Sequence, residues 1–428
     1  MRLEADVCVV GAGAAGVAAA VAAARGGARV VLLERSGFLG GTLTTVSLGS
    51  MCGLYAVTPD HIDQIVGGFA DQVIERLQAH GSATEPVRWL KTASLPYDLF
   101  AMKVVLDQLV EEAGVTLMLH TQVVSVMQDD ARISHVVVEG KNGRWAVAAR
   151  QFIDCSGDAD LVAWSGAAYE FDRHSLQQPT AMFRFGGVDP ELVAEMDRDM
   201  LRRCLEEAVA DGWDLPRTAG GVFMERPGLA HLNITKVGID GRAPDPFDPR
   251  ELTQAEQMGR AQVLMYRDVF RKYVPGFEDA FVLDTGSVIG IRESRRLRGE
   301  YVLGDGDIRS AARFDDAIAC CAWPMEDHSA GRSTKWVWLE NGSYYQIPYR
   351  CLLPVGVDNL LVAGRCASAT HDAQASLRVT AQCFAMGEAA GTAAALCVGT
   401  DTRPRDIDIH HLQARLRAGG AYLGEQTS

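Results

Sequence analysis

Hydrophobic and polar positions along this chain switch repeatedly between strand-like and helix-like spacing. Near the start, Asp6-Val7-Cys8-Val9-Val10 is an apolar, β-branched run, and Gly11-Ala12-Gly13-Ala14-Ala15-Gly16 interrupts it. Alanine-rich sequence follows to Arg25, Gly26-Gly27 breaks it, and an apolar run from Ala28 ends at Glu34. This order predicts strand, glycine turn, helix, break, strand. Ile65, Phe69, Val73 and Leu77 lie at helical spacing and predict a helix over 62–80. A second amphipathic helix covers 98–113 and stops at Gly114. Residues 115–120 read as a strand. Residues 122–126 and 135–139 read as a strand pair around Asp129-Asp130, and a third strand starts at Trp145. Together these make a small β-meander appended to the first unit. An apolar strand then returns over 150–154 and runs into Cys155-Ser156-Gly157-Asp158.

From about residue 169 the pattern changes. Residues 180–185 and 231–235 alternate as strands of a mixed or antiparallel sheet do, and 191–209 and 251–274 read as helices. The first pattern resumes near Gln346. An apolar strand over 359–365 ends in Gly364-Arg365, a long helix covers 377–397, and a last helix covers 406–418. Gly387, Ala390, Gly391 and Ala394 give the long helix a small-residue face, and the alanines from Ala18 to Ala24 of the first helix are its expected partner. The expected fold is α/β: a parallel sheet with a β-meander, plus an inserted mixed α+β domain. The expected division is 1–168 and 345–428 for the first domain and 169–344 for a substrate domain that carries most of the aromatics. At 428 residues the chain is too long for one core, which agrees with two domains.

The glycine turn carries the first chemistry. Gly11 permits a tight turn off the strand, Gly13 lets the backbone approach a pyrophosphate, and Gly16 lets the helix press on the sheet. The helix N-terminus offers free N–H groups and a positive dipole end. Glu34 lies 23 residues after Gly11, at a strand end where a carboxylate accepts ribose hydroxyls. The alternative is a turn with no ligand, but strand, turn, helix and acid in this order read as a dinucleotide site. The loop around Gly40-Gly41-Thr42 offers more free N–H groups, and the strand ending at Gly157 is a second place to meet a ligand.

Composition narrows the class. The chain is 48% hydrophobic and 22% charged, as in soluble globular enzymes, and its net charge of −14 argues against nucleic acid or an anionic membrane. Ten cysteines show no paired or zinc-type spacing, so no metal site is expected and a reducing cytoplasm is the simple reading. Residues 7–24 are uncharged and long enough to be mistaken for a membrane span or leader. Glu4, Asp6 and three glycines favour the nucleotide turn.

With those motifs in view, the chain resembles the FAD-dependent oxidoreductases of the two-dinucleotide-binding-domain kind. The residues are GAGAAG with Glu34, then GGTLTT, DCSGDAD, NLLVAGRC, ASLRV and GEAAGTAAAL, with Ile289 to Arg296 and the segment around Pro324 and His328 in support. The resemblance implies a Rossmann-like domain and FAD as cofactor. It implies that Gly11, Gly13, Ala14, Ala15 and Gly16 cradle the pyrophosphate. Glu34 then holds the adenosine ribose, Arg35 lies beside the adenine, Val123 contacts adenine through its backbone, and Gly157 lies by the adenosine half. Gly41, Thr42 and Leu43 lead toward the ribityl chain. Gly364, Arg365, Leu377, Arg378 and Val379 sit at the ribityl and pyrimidine end, where a helix N-terminus stabilises the charge of reduced flavin.

Candidate catalytic residues are Cys52, His328, His371 and Arg292. Cys52, in a glycine-flanked loop, is a redox thiol, nucleophile or flavin tether, or else a small buried hydrophobe. His328, beside two acids, and His371, beside Asp372, are candidate general bases, against packing or solvated roles. Arg292 beside Glu293 is a bidentate carboxylate binder or half of an internal ion pair, and the ion pair is the plainer reading. Tyr344 and Tyr345 line the pocket or the core. The expected function is a dehydrogenase or oxidase that moves hydride between a small organic substrate and flavin N5, with oxygen or an electron-carrier protein as acceptor. One alternative is a reductase or monooxygenase fed by NAD(P)H or a partner carrier, although only one full dinucleotide fingerprint is present. Another is a flavin-bearing subunit whose partner defines the activity.

Overall fold

The computed structural model describes residues 2–329 and 334–424. β1 (Arg2–Val10), α1 (Ala14–Arg25) and β2 (Val30–Leu33) follow the predicted order. The two strands pair in parallel, with Val7 opposite Val30 and Val10 opposite Leu33. Residues 7–10 of β1 and all of β2 are buried, which is why they read as continuous apolar runs rather than alternating ones. The uncharged stretch 7–24 is therefore the end of a strand and most of a buried helix.

The helix predicted over 62–80 is shorter. Ile62–Gln64 is a strand, and the helix runs Phe69–Ala79. Gly68 sits between them at φ 65, a conformation no α-helix contains. α2 (Leu99–Glu112) begins where expected because the Asp98 carboxylate accepts from the N–H groups of Phe100 and Ala101. β3 (Thr116–Met118) lies beside β2.

The meander is β4 (Gln122–Asp129), β5 (Arg132–Gly140) and β6 (Gly143–Asp154). The sequence suggests that the strand from Trp145 and the returning strand are separate. They are one 12-residue strand. Its first half pairs antiparallel with β5, Val136 opposite Val147, while its other edge runs parallel to β1 from Leu3–Val147 to Val10–Asp154. β6 thus welds the meander into the nucleotide sheet, whose order is β3-β2-β1-β6-β5-β4.

The second sheet is antiparallel: β7 (Phe183–Gly186), β8 (Gly221–Arg226), β9 (Leu229–Asn233) and, after helix α3 (Pro249–Tyr273), β10 (Phe281–Thr285), in the order β8-β9-β7-β10. The helix predicted over 191–209 is two, Pro190–Glu195 and Arg198–Ala210, and the second starts on an Asp197 cap. This sheet has its own core, in which Phe185 meets Phe270 at 5.8 Å and Phe270 meets Phe277 at 5.0 Å. Leu303, Ile308 and Ile318 already pack with the first core, ahead of residue 345.

β11 (Leu360–Val362) joins the C-terminal end of β6, Ile153 opposite Leu361. The single helix expected over 377–397 is α4 (His371–Leu377) and α5 (Thr380–Thr400), broken at Arg378-Val379. α5 crosses α1 on its small residues as expected. A Cβ at Gly387 would lie 2.1 Å from the Ala15 carbonyl, and one at Gly391 would lie 2.1 Å from that of Ala19. By length and composition α5 could span a membrane, but 61% of its most apolar window is buried inside the protein. It is a core helix. The last helix runs Ile409–Ala418 from an Asp408 cap.

Candidate functional site

One cavity of about 670 Å³ extends from the C-terminal ends of β1, β2 and β6 to the second sheet. Strand C-termini are where parallel sheets of this kind bind ligands. Gly11, Gly13, Ala14, Ala15, Glu34, Arg35, Gly41, Thr42, Leu43, Val123, Gly157, Gly364, Arg365, Arg378 and Val379 all line it. Gly16 and Leu377 do not. Gly16 is a packing glycine, since a Cβ there would lie 1.7 Å from the Gly11 carbonyl. Leu377 is buried at the end of α4.

The turn separates the glycines by job. Gly11 has φ 90, and a Cβ on it would lie 2.5 Å from the Cys155 carbonyl. Gly13 is different: the nearest atom to its would-be Cβ is the Gly41 Cα at 3.9 Å, because its open side faces the cavity. The first turn of α1 stands there with N–H groups that no helix can satisfy internally. Glu34 is 8% exposed and accepts from the N–H groups of Ala12 at 2.8 Å and Ser36 at 2.7 Å. Each of its oxygens keeps a lone pair for a hydroxyl. Arg365 pairs with Asp158 at 2.7 Å beside Gly157, and its Nη1 is buried with no partner among the described residues. Val379 caps α5 without a side-chain bond, so the N-terminus of a 21-residue helix opens on the cavity through Val379 and Thr380. The glycine cradle, ribose acceptor and two helix N-termini fit FAD.

The far end is built by other elements. Trp89, Trp323 and Trp336 line it, with Trp89 stacked on Trp323 at 6.5 Å and edge-on to Trp336 at 5.5 Å. Arg217, Arg292, Asn233, Glu326 and Thr334 supply the polar wall. Glu326 is held anionic. Burial alone would raise its pKa, but the hydrogen bond from His328 and the fields of Arg292 and Arg378 bring it well below the usual range.

The structure sorts the four catalytic candidates. Cys52 lines the cavity, but burial first and Glu326 second push its thiol up to about 12, so it is neither thiolate nor nucleophile at neutral pH. His328 stands behind the wall, 2% exposed. Its Nε2 bonds Glu326 at 2.9 Å and its Nδ1 bonds Thr334 at 3.2 Å. Burial and Arg292 push it down to about 3, so it is a neutral donor that positions Glu326. His371 does not line the cavity. Its Nδ1 lies 2.8 Å from Glu293 and its Nε2 3.5 Å from Asp327; these two carboxylates overcome burial and raise it to about 9. A clamped imidazolium that stays charged at neutral pH is a poor base. Arg292 is not paired with Glu293, which bonds Arg296 and His371 instead. It donates to the Gln178 carbonyl at 3.1 Å and to Asn233 at 3.3 Å and faces the cavity. Tyr344 is partly buried and Tyr345 is wholly buried, bonded to Ser376 at 2.8 Å.

Sequence reasoning missed Glu326, Arg217, Asn233, Trp89 and Trp336 as wall residues. They come from separate loops and short strands with no shared spacing. The one available signal for Glu326 was its place two residues before His328.

A parallel sheet whose glycine turn, strand-end acid and facing helix N-terminus converge on one cavity defines a dinucleotide-binding flavoprotein. The chain belongs to the FAD dependent oxidoreductase family, whose sequence model matches residues 6–416. No curated protein matches the chain significantly. Among solved structures, it is similar to a geranylgeranyl bacteriochlorophyll reductase-like protein from Thermoplasma acidophilum, at 12% identity and TM-score 0.50, covering 98% of this chain and 83% of that one. It is also similar to CabE, an aromatic hydroxylase from angucycline biosynthesis, at 13% identity and TM-score 0.51, covering 97% and 68%. At these identities the likeness is one of fold. The protein is an FAD-dependent oxidoreductase.

Proposed function

We propose that the protein moves hydride between a small organic substrate and flavin N5, as a dehydrogenase or oxidase acting in the cytoplasm with oxygen or an electron-carrier protein as acceptor. The observation that carries this reading is the continuity of the cavity from the glycine cradle to the tryptophan-lined end. When bound there, FAD supplies a two-electron acceptor, and the protein supplies position and proton handling. Glu326, on the wall, ionised and oriented by His328, is a fixed negative charge that accepts a hydrogen bond from the substrate. The three tryptophans exclude water and hold a flat substrate body. The proposed division stays at 1–168, 169–344 and 345–428, with the middle part as substrate domain. A net charge of −14 supports neither nucleic acid nor an anionic membrane as partner.

The test is an anaerobic visible spectrum of the purified protein, taken before and after NADH or NADPH. Flavin that stays oxidised, and then bleaches with a member of a panel of amines, alcohols and acids, supports the proposal. Rapid bleaching by the nicotinamide alone overturns it in favour of a reductase or monooxygenase.

A further inference from the structure

We propose that the far end of the cavity is a carboxylate site. Arg217 and Arg292 hold one organic monocarboxylate, and its flat, unsaturated body lies against Trp89, Trp323 and Trp336. This rests on the flavoenzyme reading above and names the substrate class for the same site.

The argument is one of charge. Arg217 and Arg292 are each 8% exposed and both line the cavity. Their partners are neutral: the Thr334 hydroxyl at 3.2 Å for Arg217, and the Gln178 carbonyl and Asn233 amide for Arg292. Among the described residues no carboxylate lies within 4.0 Å of either guanidinium. The other arginine as buried as these among the described residues, Arg296, does have an ion pair, with Glu293 at 2.6 Å. Buried guanidinium groups without an anion are costly, so an unpaired pair facing a cavity reads as half of a binding contact.

The surroundings agree. Burial lowers the pKa of both groups, Arg292 to about 9; neighbouring arginines lower it further, and the field of Glu326, beyond ion-pair distance, offsets this only in part. Lys236 feels the same cations and falls to about 8, with burial as the main cause. Glu326, on the same wall, is ionised. Arg378 also faces the cavity, at the α5 N-terminus where the ring of the cofactor is expected. Setting it aside, Arg217 and Arg292 together outnumber Glu326, so this wall favours an anion over a neutral ligand. A dianion would meet Glu326. Planar guanidinium forks match the two oxygens of a carboxylate, and the tryptophans match a flat body.

The experiment titrates the flavin-loaded protein with benzoate, benzamide and phenyl phosphate, following tryptophan fluorescence and the flavin absorption bands. Benzoate is expected to bind about tenfold or more tighter than benzamide, and tighter than phenyl phosphate. Arg217→Gln and Arg292→Gln should each weaken benzoate about tenfold with flavin content unchanged, while Arg292→Lys retains part of the affinity. The proposal is overturned if benzoate binds no tighter than benzamide, or if phenyl phosphate binds best. It is also overturned if both glutamine variants, fully loaded with flavin, bind benzoate as the wild type does. The wild-type comparison needs no variant to fold. A wild-type protein that carries no flavin overturns the flavoenzyme reading instead, and quenching of tryptophan fluorescence by benzoate still reports on the arginine pair.

Discussion

Single residues set the two sharpest expectations. Gly13 is the turn glycine whose missing Cβ faces the cavity rather than backbone. Gly13→Val should therefore fold and lose its flavin, which the ratio of visible to ultraviolet absorbance of the purified variant would reveal. Full flavin content in a folded variant would refute the cradle. His371 sets a pH dependence. Its folded pKa is raised to about 9, above the ordinary value of 6.5, by Asp327 and Glu293. A group raised on folding contributes stability in full below its unfolded pKa and loses it as pH rises through the folded one. The difference in Tm between wild type and His371→Gln should thus be constant below about pH 6 and shrink between about pH 6.5 and 10. Taking the difference removes Lys236, which burial depresses and which works in the opposite sense over the same range.

At the scale of elements, the contact between α1 and α5 fixes the nucleotide domain. A helix normally gains about 0.5–1 kcal/mol when an interior Gly becomes Ala. At Gly391 the new Cβ would lie 2.1 Å from the Ala19 carbonyl, so backbone must move and the sign reverses. At Gly399, in the exposed last turn of the same helix, an added Cβ would meet nothing within 4 Å among the described residues beyond its own helix. Gly391→Ala should destabilise by about 1–3 kcal/mol, as overpacking does, while Gly399→Ala should be neutral or stabilise by up to about 1 kcal/mol. Urea unfolding of the two variants would check the pair, and equal effects would mean that the helices do not meet this closely. Elements also mark where reading the sequence fell short. The break at Arg378-Val379 is not visible in the sequence, because no Gly or Pro stands there to mark it. It matters, because it starts α5 at the cavity. The unity of β6 was hidden for the opposite reason. Its first half is a meander edge and its second half a buried core strand, so one strand shows two patterns.

For the whole molecule, the cavity lies where the first core meets the second sheet, lined by residues of both. A cofactor there binds the folded chain and not the unfolded one. Free FAD at about a thousand times its Kd should then add about 4 kcal/mol. Thermal melts with and without added FAD would show it, and a Tm indifferent to FAD would place the cofactor outside the cavity. The same view explains the catalytic candidates. His328 and His371 stand within a few residues of the wall in sequence, yet one is turned behind Glu326 and the other is clamped between Glu293 and Asp327.

What the sequence determined was local. A strand, a glycine turn, a helix and an acid at fixed spacing specify a nucleotide site because each part acts within about thirty residues, and burial on both faces writes itself as unbroken apolar runs. That was enough for the fold class, a dinucleotide site and most of its cradle, while FAD itself was implied by the family resemblance. The substrate end was decided by tertiary structure alone. Arg217, Arg292 and Glu326 lie over a hundred residues apart at the extremes and meet only when the antiparallel sheet closes over the nucleotide domain. Which arginine has a carboxylate partner, and which is left facing the cavity, depends on distances between segments that no pattern along the chain encodes.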